Sequence, residues 1–316
     1  MTQYFIRRLL LAFPTIFLVI FATFLIVRLV PGDIVSIMMA ERPYATEDDR
    51  EELRKELGVD KPLVTQFVVY LGKVVRGDLG ESPWTKQAVT AELGRRLPVT
   101  AQLGVFAIAL GLLLAIPIGI LSAVRQDTMR DYFARSFAIL ALSVPSFFTA
   151  TLLIVFPIKW FGWSPPLIYQ GWSDGPLDHI YYFFFPALLL GIGLAGGVMR
   201  LTRTMMLEVL RQDYIRTAWA KGLRERSVIF RHVTKNAFIP VVTFIGLQVG
   251  VAVSGSIIIE SIFNIPGVGK FFVGAILQRD YPSVQGVVLC LATVIVFVNL
   301  LVDLTYAYLD PRIRYS

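Results

Sequence analysis

Apolar residues are concentrated in six long runs along the chain, and polar segments of unequal length separate them. The runs are Leu9–Val30, Val99–Val124, Ser136–Ile158, Tyr181–Met199, Phe238–Ile259 and Val284–Leu309. A helix rises about 1.5 Å per residue, so each run is long enough to cross, or nearly cross, a hydrocarbon layer about 30 Å thick. The pattern predicts an all-α membrane protein with six transmembrane helices.

Composition supports a membrane protein and excludes several other classes. Apolar residues make up 55% of the 316 residues and charged residues only 17%, with a mean hydropathy of +0.65. One cysteine, Cys290, and two histidines cannot form a disulfide framework or a cysteine–histidine metal cluster within one chain. We therefore expect no cofactor. The first run follows Arg7 and Arg8 and is too long for the core of a cleavable signal peptide, which favours a membrane anchor.

Basic residues are distributed unevenly between the segments that join the runs. Six spans place both chain ends on one side, where the segments 1–8, 125–135, 200–238 and 310–316 carry sixteen basic and six acidic residues. The short segments on the other side hold only Lys159, Lys270 and Arg279 as basic residues. The positive-inside rule therefore predicts that both termini are cytoplasmic. Topology accounts for the net charge of +7, so nucleic acid is not an expected partner.

The segment 31–98 would lie outside the cytoplasm, between the first two spans. Thr46 followed by Asp48 and Asp49 is typical of a capped helix start, and Gly58 is typical of a helix end. We expect a small folded extracytoplasmic subdomain that serves either as a spacer or as a docking surface for a partner. The predicted division is an anchor helix at 1–30, this subdomain at 31–96, a transmembrane core at 97–309 and a cytoplasmic tail at 310–316.

Small residues recur at helical spacing inside three of the runs. Such stripes let helix backbones approach closely in lipid, and packing within one subunit is favoured over an interface between subunits. The stripes are Gly111, Ala115, Gly119 and Ala123; Gly193 and Gly197; and Gly246, Gly250 and Ser254.

The cytoplasmic segment 206–238 contains the most informative pattern. Asp213 is a good N-cap and Gly222 is a good residue to follow a helix, which predicts a short helix between them. A rigid helix with two faces suits docking in a groove of another protein, and it equally suits an interfacial helix that rests on lipid headgroups. One face carries Tyr214, Ile215, Ala218 and Trp219, and another carries Arg216, Thr217, Ala220 and Lys221.

This segment resembles the EAA-type loop in permeases of ATP-binding-cassette (ABC) importers. The stretch Tyr214-Ile-Arg-Thr-Ala-Trp-Ala-Lys-Gly-Leu223 is similar to the version found in dipeptide, oligopeptide and nickel permeases. Arg216 and Thr217 stand in place of the Glu and first Ala of the generic motif, whereas Ala218 and Gly222 match it. The resemblance implies a coupling helix that the ATPase subunit grips. Its residues would be Asp213, Tyr214, Ile215, Arg216, Thr217, Ala218, Trp219, Lys221, Gly222 and Leu223.

Further stretches resemble the same class in order and spacing over most of the chain. The resemblance implies a bacterial inner-membrane protein with the type I importer fold. It also implies a heterodimer with a second, homologous permease, two ATPase subunits in the cytoplasm and a substrate-binding protein outside. The stretches are Pro31-Gly-Asp33, Gly77-Asp-Leu-Gly80, Arg96-Leu-Pro-Val-Thr100, Ile262-Phe-Asn-Ile-Pro-Gly-Val-Gly269, Arg279-Asp-Tyr-Pro-Ser-Val-Gln-Gly286 and Leu309-Asp-Pro-Arg-Ile-Arg-Tyr315.

A phosphate-binding loop is missing, so ATP hydrolysis is expected on a partner chain. The stretch from Asn264 to Phe271 lacks the first Gly and the Ser/Thr of that motif, and a gate or docking loop is favoured instead. Arg28 and Glu260 lie near the outer boundary, where interfacial anchoring is favoured. For the neutral polar residues inside the spans, a helix–helix hydrogen bond is favoured over a role in the path. The candidates for path or gate are Ser143, Ser146, Gln248, Glu260, Asn264, Pro266, Gly267 and Asn299.

The expected function is that of a permease subunit of an ATP-driven ABC importer. It would form half of the translocation path for di- or oligopeptides delivered by an extracytoplasmic binding protein. Nickel, glutathione or another small solute is the alternative substrate. A secondary transporter or channel without an ATPase is the alternative from another class, although no series of buried Asp, Glu or His predicts a proton relay. No reactive constellation supports a membrane-bound enzyme.

Overall fold

A computed structural model describes residues 2–29, 35, 38–39 and 46–309. The Pro31-Gly-Asp33 motif and the predicted tail at 310–316 lie outside this part. Within it the regular structure is helical and no strand occurs, which confirms the all-α prediction. The main helices are α1 (Thr2–Leu29), α2 (Glu47–Leu57), α3 (Leu63–Val75), α4 (Val89–Val124), α5 (Met129–Ser143), α6 (Ser146–Phe161), α7 (Pro176–Leu210), α8 (Asp213–Ala220), α9 (Glu225–Ile262), α10 (Val268–Leu277) and α11 (Tyr281–Leu309).

Five described helices, α1, α4, α7, α9 and α11, are long and apolar enough to cross a membrane. Helices α5 and α6 are long and apolar enough only as a pair, and they bend by 97° at the break between Ser143 and Ser146, as in a broken span or a re-entrant loop. The described residues thus hold five spans, or the predicted six if the bent pair counts as one, whereas the expectation of one continuous third helix is wrong. Pro145 explains the break, because a proline disfavours the helical conformation of the residue before it, and Val144 is extended.

The first compact unit comprises residues 2–99 and 266–296. In it the Phe67 ring of α3 packs edge-on against the rings of Phe17, Phe21 and Phe24 on α1, at centroid distances of 5.1–6.3 Å. Helix α2 begins at a capping box formed by Thr46 and Asp49 and ends at the left-handed Gly58, as predicted. A separate apolar cluster joins the start of α4 to α10 and α11. Its buried members are Val89, Leu93, Val268 and Val287.

The second compact unit comprises residues 100–265 and 297–309, and α7 is a largely buried helix within it. Helices α4 and α7 approach so closely that a Cβ atom built at Gly111 would lie 2.8 Å from the Gly191 carbonyl oxygen. One built at Gly119 would lie 2.9 Å from the Met199 carbonyl oxygen. Ala115, in the same stripe, is fully buried. The prediction that this stripe packs within one subunit is confirmed.

Candidate functional site

Helix α8 is held against the rest of the second unit by two of its apolar residues. Ile215 is 0% exposed and Ala218 is 7% exposed. Both belong to an apolar cluster that includes Met206 of α7 and four residues of α9, namely Val228, Ile229, Val233 and Ala237. Tyr214 and Trp219 are instead 46% and 43% exposed. Ile215 and Ala218 therefore attach α8 to the rest of the unit, whereas Tyr214 and Trp219 are exposed to the surroundings.

Both ends of α8 are set by local backbone chemistry. The N-cap is Gln212, and Asp213 is the first helical residue, so the predicted N-cap is wrong by one position. At the other end Gly222 has φ +74° and donates its N–H to the Trp219 carbonyl oxygen at 2.9 Å. The N–H of Leu223 donates to the Ala218 carbonyl oxygen at 3.4 Å. This Schellman arrangement needs a left-handed residue, which confirms Gly222 as the residue that follows the helix.

Helix α9 connects α8 directly to a span. It is 38 residues long, from Glu225 to Ile262, and Val228–Val233 form a π-helical turn near its start. The Asn236 amide donates to the Tyr214 hydroxyl at 3.1 Å and to the His232 carbonyl oxygen at 2.8 Å. One continuous helix therefore contacts α8 at one end and forms a candidate span at the other.

The exposed residues of α8 and the following turn include aromatic and basic side chains. Tyr214, Trp219 and Leu223 provide apolar surface there. Tyr, Trp and Arg are enriched at the centres of protein interfaces, so this surface has the composition of a docking site. We call it the α8 surface and define it as Tyr214, Arg216, Trp219, Lys221 and Leu223. The exposed basic residues on and around it are Arg211, Arg216, Lys221, Arg224, Arg226 and Arg231.

A buried carboxylate connects three helices, α4, α5 and α7, through hydrogen bonds. Asp131 of α5 is fully buried. It accepts hydrogen bonds from Arg203 Nε and Nη2 on α7, both at 2.7 Å, and from the Ser122 hydroxyl of α4 at 2.5 Å. The backbone N–H of Asp127 adds a fourth bond at 3.0 Å. Sequence reasoning missed this network, because it treated Asp131 and Arg203 only as charges in a topology count.

Several predicted path or gate residues serve as helix ends or lie at a bend. Asn264 has φ +58°, and the Ile265 N–H donates to the Glu260 carbonyl oxygen at 2.8 Å, which closes the C-terminus of α9. Glu260 is completely buried, so the expectation that its side chain anchors at the membrane surface is wrong. Gly267 is the N-cap of α10 and follows Pro266.

The remaining path candidates lie inside or between spans. Ser143 and Ser146 lie on the two sides of the α5–α6 bend. Gln248 of α9 and Asn299 of α11 are half-buried. Nothing in these positions tests a role in a path, and that role stays a prediction.

In the first unit, Asp280 connects two loops that the sequence separates widely. It is 2% exposed and accepts hydrogen bonds from the Ser82 hydroxyl at 2.5 Å and from the Ser283 hydroxyl at 2.7 Å. The backbone N–H of Ser283 adds a bond at 3.1 Å, so Asp280 also caps α11. The indole N–H of Trp84 donates to the Gln278 carbonyl oxygen at 3.0 Å across the same loops.

Replacing Asp280 with alanine is expected to lower the free energy of unfolding by about 2–4 kcal/mol. The change removes a helix cap and leaves the buried Ser82 hydroxyl without its acceptor. Thermal unfolding of the purified full chain in detergent measures the effect. The control is Asp78→Ala, because the exposed Asp78 carboxylate accepts one bond, from the Gly80 N–H at 2.8 Å. Equal losses in the two variants would contradict the assignment.

Comparisons with known proteins cover the whole chain. Residues 115–315 match the family described as binding-protein-dependent transport system inner membrane component, and residues 1–104 match the N-terminal region of such membrane components. The chain is 39% identical over 339 aligned residues to the dipeptide transport system permease protein DppB of Escherichia coli. It is 38% identical over 336 residues to the di/tripeptide transport system permease protein DppB of Pseudomonas aeruginosa. Both alignments cover 100% of each protein.

Solved structures support the same fold at low sequence identity. An inward-facing structure of the MetNI methionine ABC transporter matches with a TM-score of 0.56 and 16% identity, over 70% of this chain and 97% of the other. An amino acid ABC transporter with histidines matches with a TM-score of 0.53 and 15% identity, over 71% of this chain and 95% of the other. The fold is that of a type I importer permease, as predicted.

Proposed function

The chain belongs to the family of binding-protein-dependent transport system inner membrane components, and we propose that within such a system α8 transmits the movement of an ATPase subunit to the spans. The family is one of multi-pass inner-membrane transport proteins that work with an ABC ATPase and a substrate-binding protein. One observation carries the proposal: α8 is anchored on α7 and α9 through Ile215 and Ala218, while the α8 surface is displayed outward.

The arrangement around α8 supports a mechanical role. A groove on each ATPase would enclose Trp219 and Tyr214, and the basic residues nearby would meet acidic side chains at its rim. When two ATPases close on ATP, α8 would move as a rigid body with α9, because Asn236 and the apolar cluster hold the two helices together. This scheme is one of rigid-body alternating access. ATP hydrolysis belongs to the ATPase subunits in this proposal.

The positive-inside distribution of Lys and Arg supports an orientation with both termini and α8 in the cytoplasm. The segment 31–96 would then form the extracytoplasmic subdomain, between the anchor at 1–30 and the core at 97–309. A substrate-binding protein would dock on the outer side, and a second, non-identical permease would complete the path. Within the core, Ser143, Ser146, Gln248 and Asn299 are the proposed path residues, with Glu260, Asn264, Pro266 and Gly267 near its outer end.

Di- or oligopeptides are the proposed substrate. The support is the full-length similarity to proteins named as dipeptide and di/tripeptide permeases. Mass spectrometry of the ligand held by the co-purifying binding protein tests this directly. Nickel, glutathione or another small solute as the bound ligand would overturn it.

Trp219→Ala is expected to reduce ATPase co-purification about tenfold or more and to abolish uptake, while the permease stays folded. Trp at the centre of an interface commonly contributes about 2 kcal/mol or more to binding, and 1.4 kcal/mol corresponds to a factor of ten. The measurements are the ATPase-to-permease ratio after affinity purification and substrate uptake in proteoliposomes. The control is Trp160→Ala, which removes another exposed tryptophan, on α6.

Normal ATPase binding and uptake by the Trp219→Ala variant would refute the coupling assignment. Ala218→Asp is less informative, because Ala218 is buried in the permease itself and a charge there would disturb folding. Gradient-driven uptake by this chain without an ATPase would instead support a secondary transporter.

A further inference from the structure

The first unit, formed by residues 2–99 and 266–296, contains a cleft of about 440 Å³. Its wall is built by the end of α1, by α3, by the loop 78–86 and by the start of α11. Sites for small molecules typically occupy roughly 300–1,000 Å³, so the cleft has a suitable size. Four basic and two acidic side chains line it, which gives it a net positive charge. They are Arg28, Lys61, Lys73, Lys86, Asp78 and Glu81.

Three residues of the wall each hold a buried polar atom that has no hydrogen-bond partner among the residues that the structure describes. The atoms are Arg28 Nη1, the Tyr70 hydroxyl oxygen and Gln285 Nε2. Gln285 is only 3% exposed, so water does not readily satisfy its amide. Buried donors without acceptors destabilise a fold. Three of them in the wall of one cleft therefore indicate a place where a ligand supplies the acceptors.

All three groups are available as donors. A guanidinium and an amide nitrogen donate and do not accept. Burial raises the pKa of the Tyr70 hydroxyl to about 12, against the opposing effect of the Arg28 charge, so the phenol keeps its proton at neutral pH. A ligand that meets this wall must therefore present acceptor oxygens.

Arg28 is fixed in position before any ligand arrives. Its Nε donates to Gln66 Oε1 at 2.7 Å, and the Gln66 amide donates to the Lys61 carbonyl oxygen at 2.7 Å. The guanidinium carbon lies 3.8 Å from the centroid of the Phe24 ring. Arg28 is therefore held in position by Gln66 and Phe24, and interfacial anchoring stays a prediction. Across the described residues, no carboxylate forms an ion pair with it.

We propose that this cleft binds the carboxylate of a small organic anion, such as the C-terminal carboxylate of a short peptide, between Arg28, Tyr70 and Gln285. The two oxygens of a carboxylate accept about four hydrogen bonds, and bonds from a guanidinium to a carboxylate are strong and directional. The proposal concerns binding to this chain alone and does not rest on the coupling role of α8.

The test uses the full-length permease in lipid nanodiscs and isothermal titration calorimetry. The probes are glycylglycine, glycylglycinamide, which lacks the carboxylate, and inorganic phosphate. Glycylglycine is expected to bind saturably and the amide about tenfold or more weakly, because the bond to a charged group is lost. Tyr70→Phe and Gln285→Leu are expected to weaken glycylglycine binding about 2- to 10-fold, and Arg28→Gln about 10- to 100-fold.

The matched control is Arg95→Gln, which removes an exposed arginine of the same unit outside the cleft. Tyr70→Phe removes one hydroxyl only, so it still tests the cleft if Arg28→Gln lowers the yield of folded protein. Four outcomes would each overturn the proposal. They are equal binding of glycylglycine and its amide, binding of phosphate alone, no glycylglycine binding, and unchanged affinity in all three cleft variants. Because no ATPase is present, failure of the coupling assignment would not alter these results.

Discussion

Gly191→Val is expected to disrupt the packing of α4 against α7 and to lower the free energy of unfolding by about 3 kcal/mol or more. A Cβ at Gly191 would lie 2.7 Å from the Ala107 carbonyl oxygen and 3.0 Å from the Gly111 nitrogen. Both atoms belong to the backbone of α4, so no side chain can rotate away. The helices would have to separate, and the contacts of the buried residues Leu194 and Ala195 would be lost with them.

Gly193→Val is the matched control for this effect. Gly193 lies two residues further along α7, and nothing is within 4 Å of a Cβ built there. The two substitutions change helix propensity equally, so the difference between them isolates the close approach of the backbones. Thermal unfolding in detergent and the elution profile of the purified chain give the comparison. Similar stability of the two variants would show that α4 and α7 do not meet at this glycine.

Asp131→Asn is expected to lower the free energy of unfolding by about 3–5 kcal/mol, because it leaves the Arg203 charge without its partner in a poorly solvated site. The Arg203 side chain is only 19% exposed and the Asp131 side chain is 0% exposed. The control is Asp127→Asn in the loop that precedes α5, where the exposed Asp127 carboxylate accepts a hydrogen bond from the Gln126 amide at 3.1 Å. Chemical or thermal unfolding of both variants measures the difference.

A second variant separates charge pairing from simple loss of packing. Arg203→Met removes the charge and keeps most of the side-chain length. The double variant Asp131→Asn with Arg203→Met is expected to be less destabilised than the sum of the two single changes, because no unpaired charge remains. If the losses of unfolding free energy were strictly additive, the two side chains would contribute independently and would not stabilise the protein as an ion pair.

Local patterns predicted the features that depend on residues close together in the sequence. The cap of α2 at Thr46, its end at Gly58 and the end of α8 at Gly222 each rest on a few consecutive residues, and all three are present. The five long apolar helices follow from the lengths of the apolar runs. The break at Pro145 also has a local cause. Because the apolar run continues on both sides of it, however, hydropathy alone could not distinguish a small kink from a 97° bend.

The long-range contacts could not be predicted in this way. Asp131 and Arg203 are 72 positions apart, and Ser82 and Asp280 are 198 positions apart. No helical period connects such residues. The pattern on α8 grouped Ile215 with Trp219, but only the packing of α7 and α9 decides which of them is buried. For the same reason, the three donors of the cleft come together from α1, α3 and α11 without any shared motif.

The π-helical turn at Val228–Val233 sets the rotational phase between the two ends of α9. Successive residues of an α-helix are turned by about 100°, and a π turn holds one additional residue, so everything beyond it is rotated by about that angle. Deleting one residue from this turn would leave the hydropathy of the span unchanged, yet Asn236 would no longer point toward Tyr214. The orientation of α8 relative to the span therefore depends on a count of residues as well as on their identity.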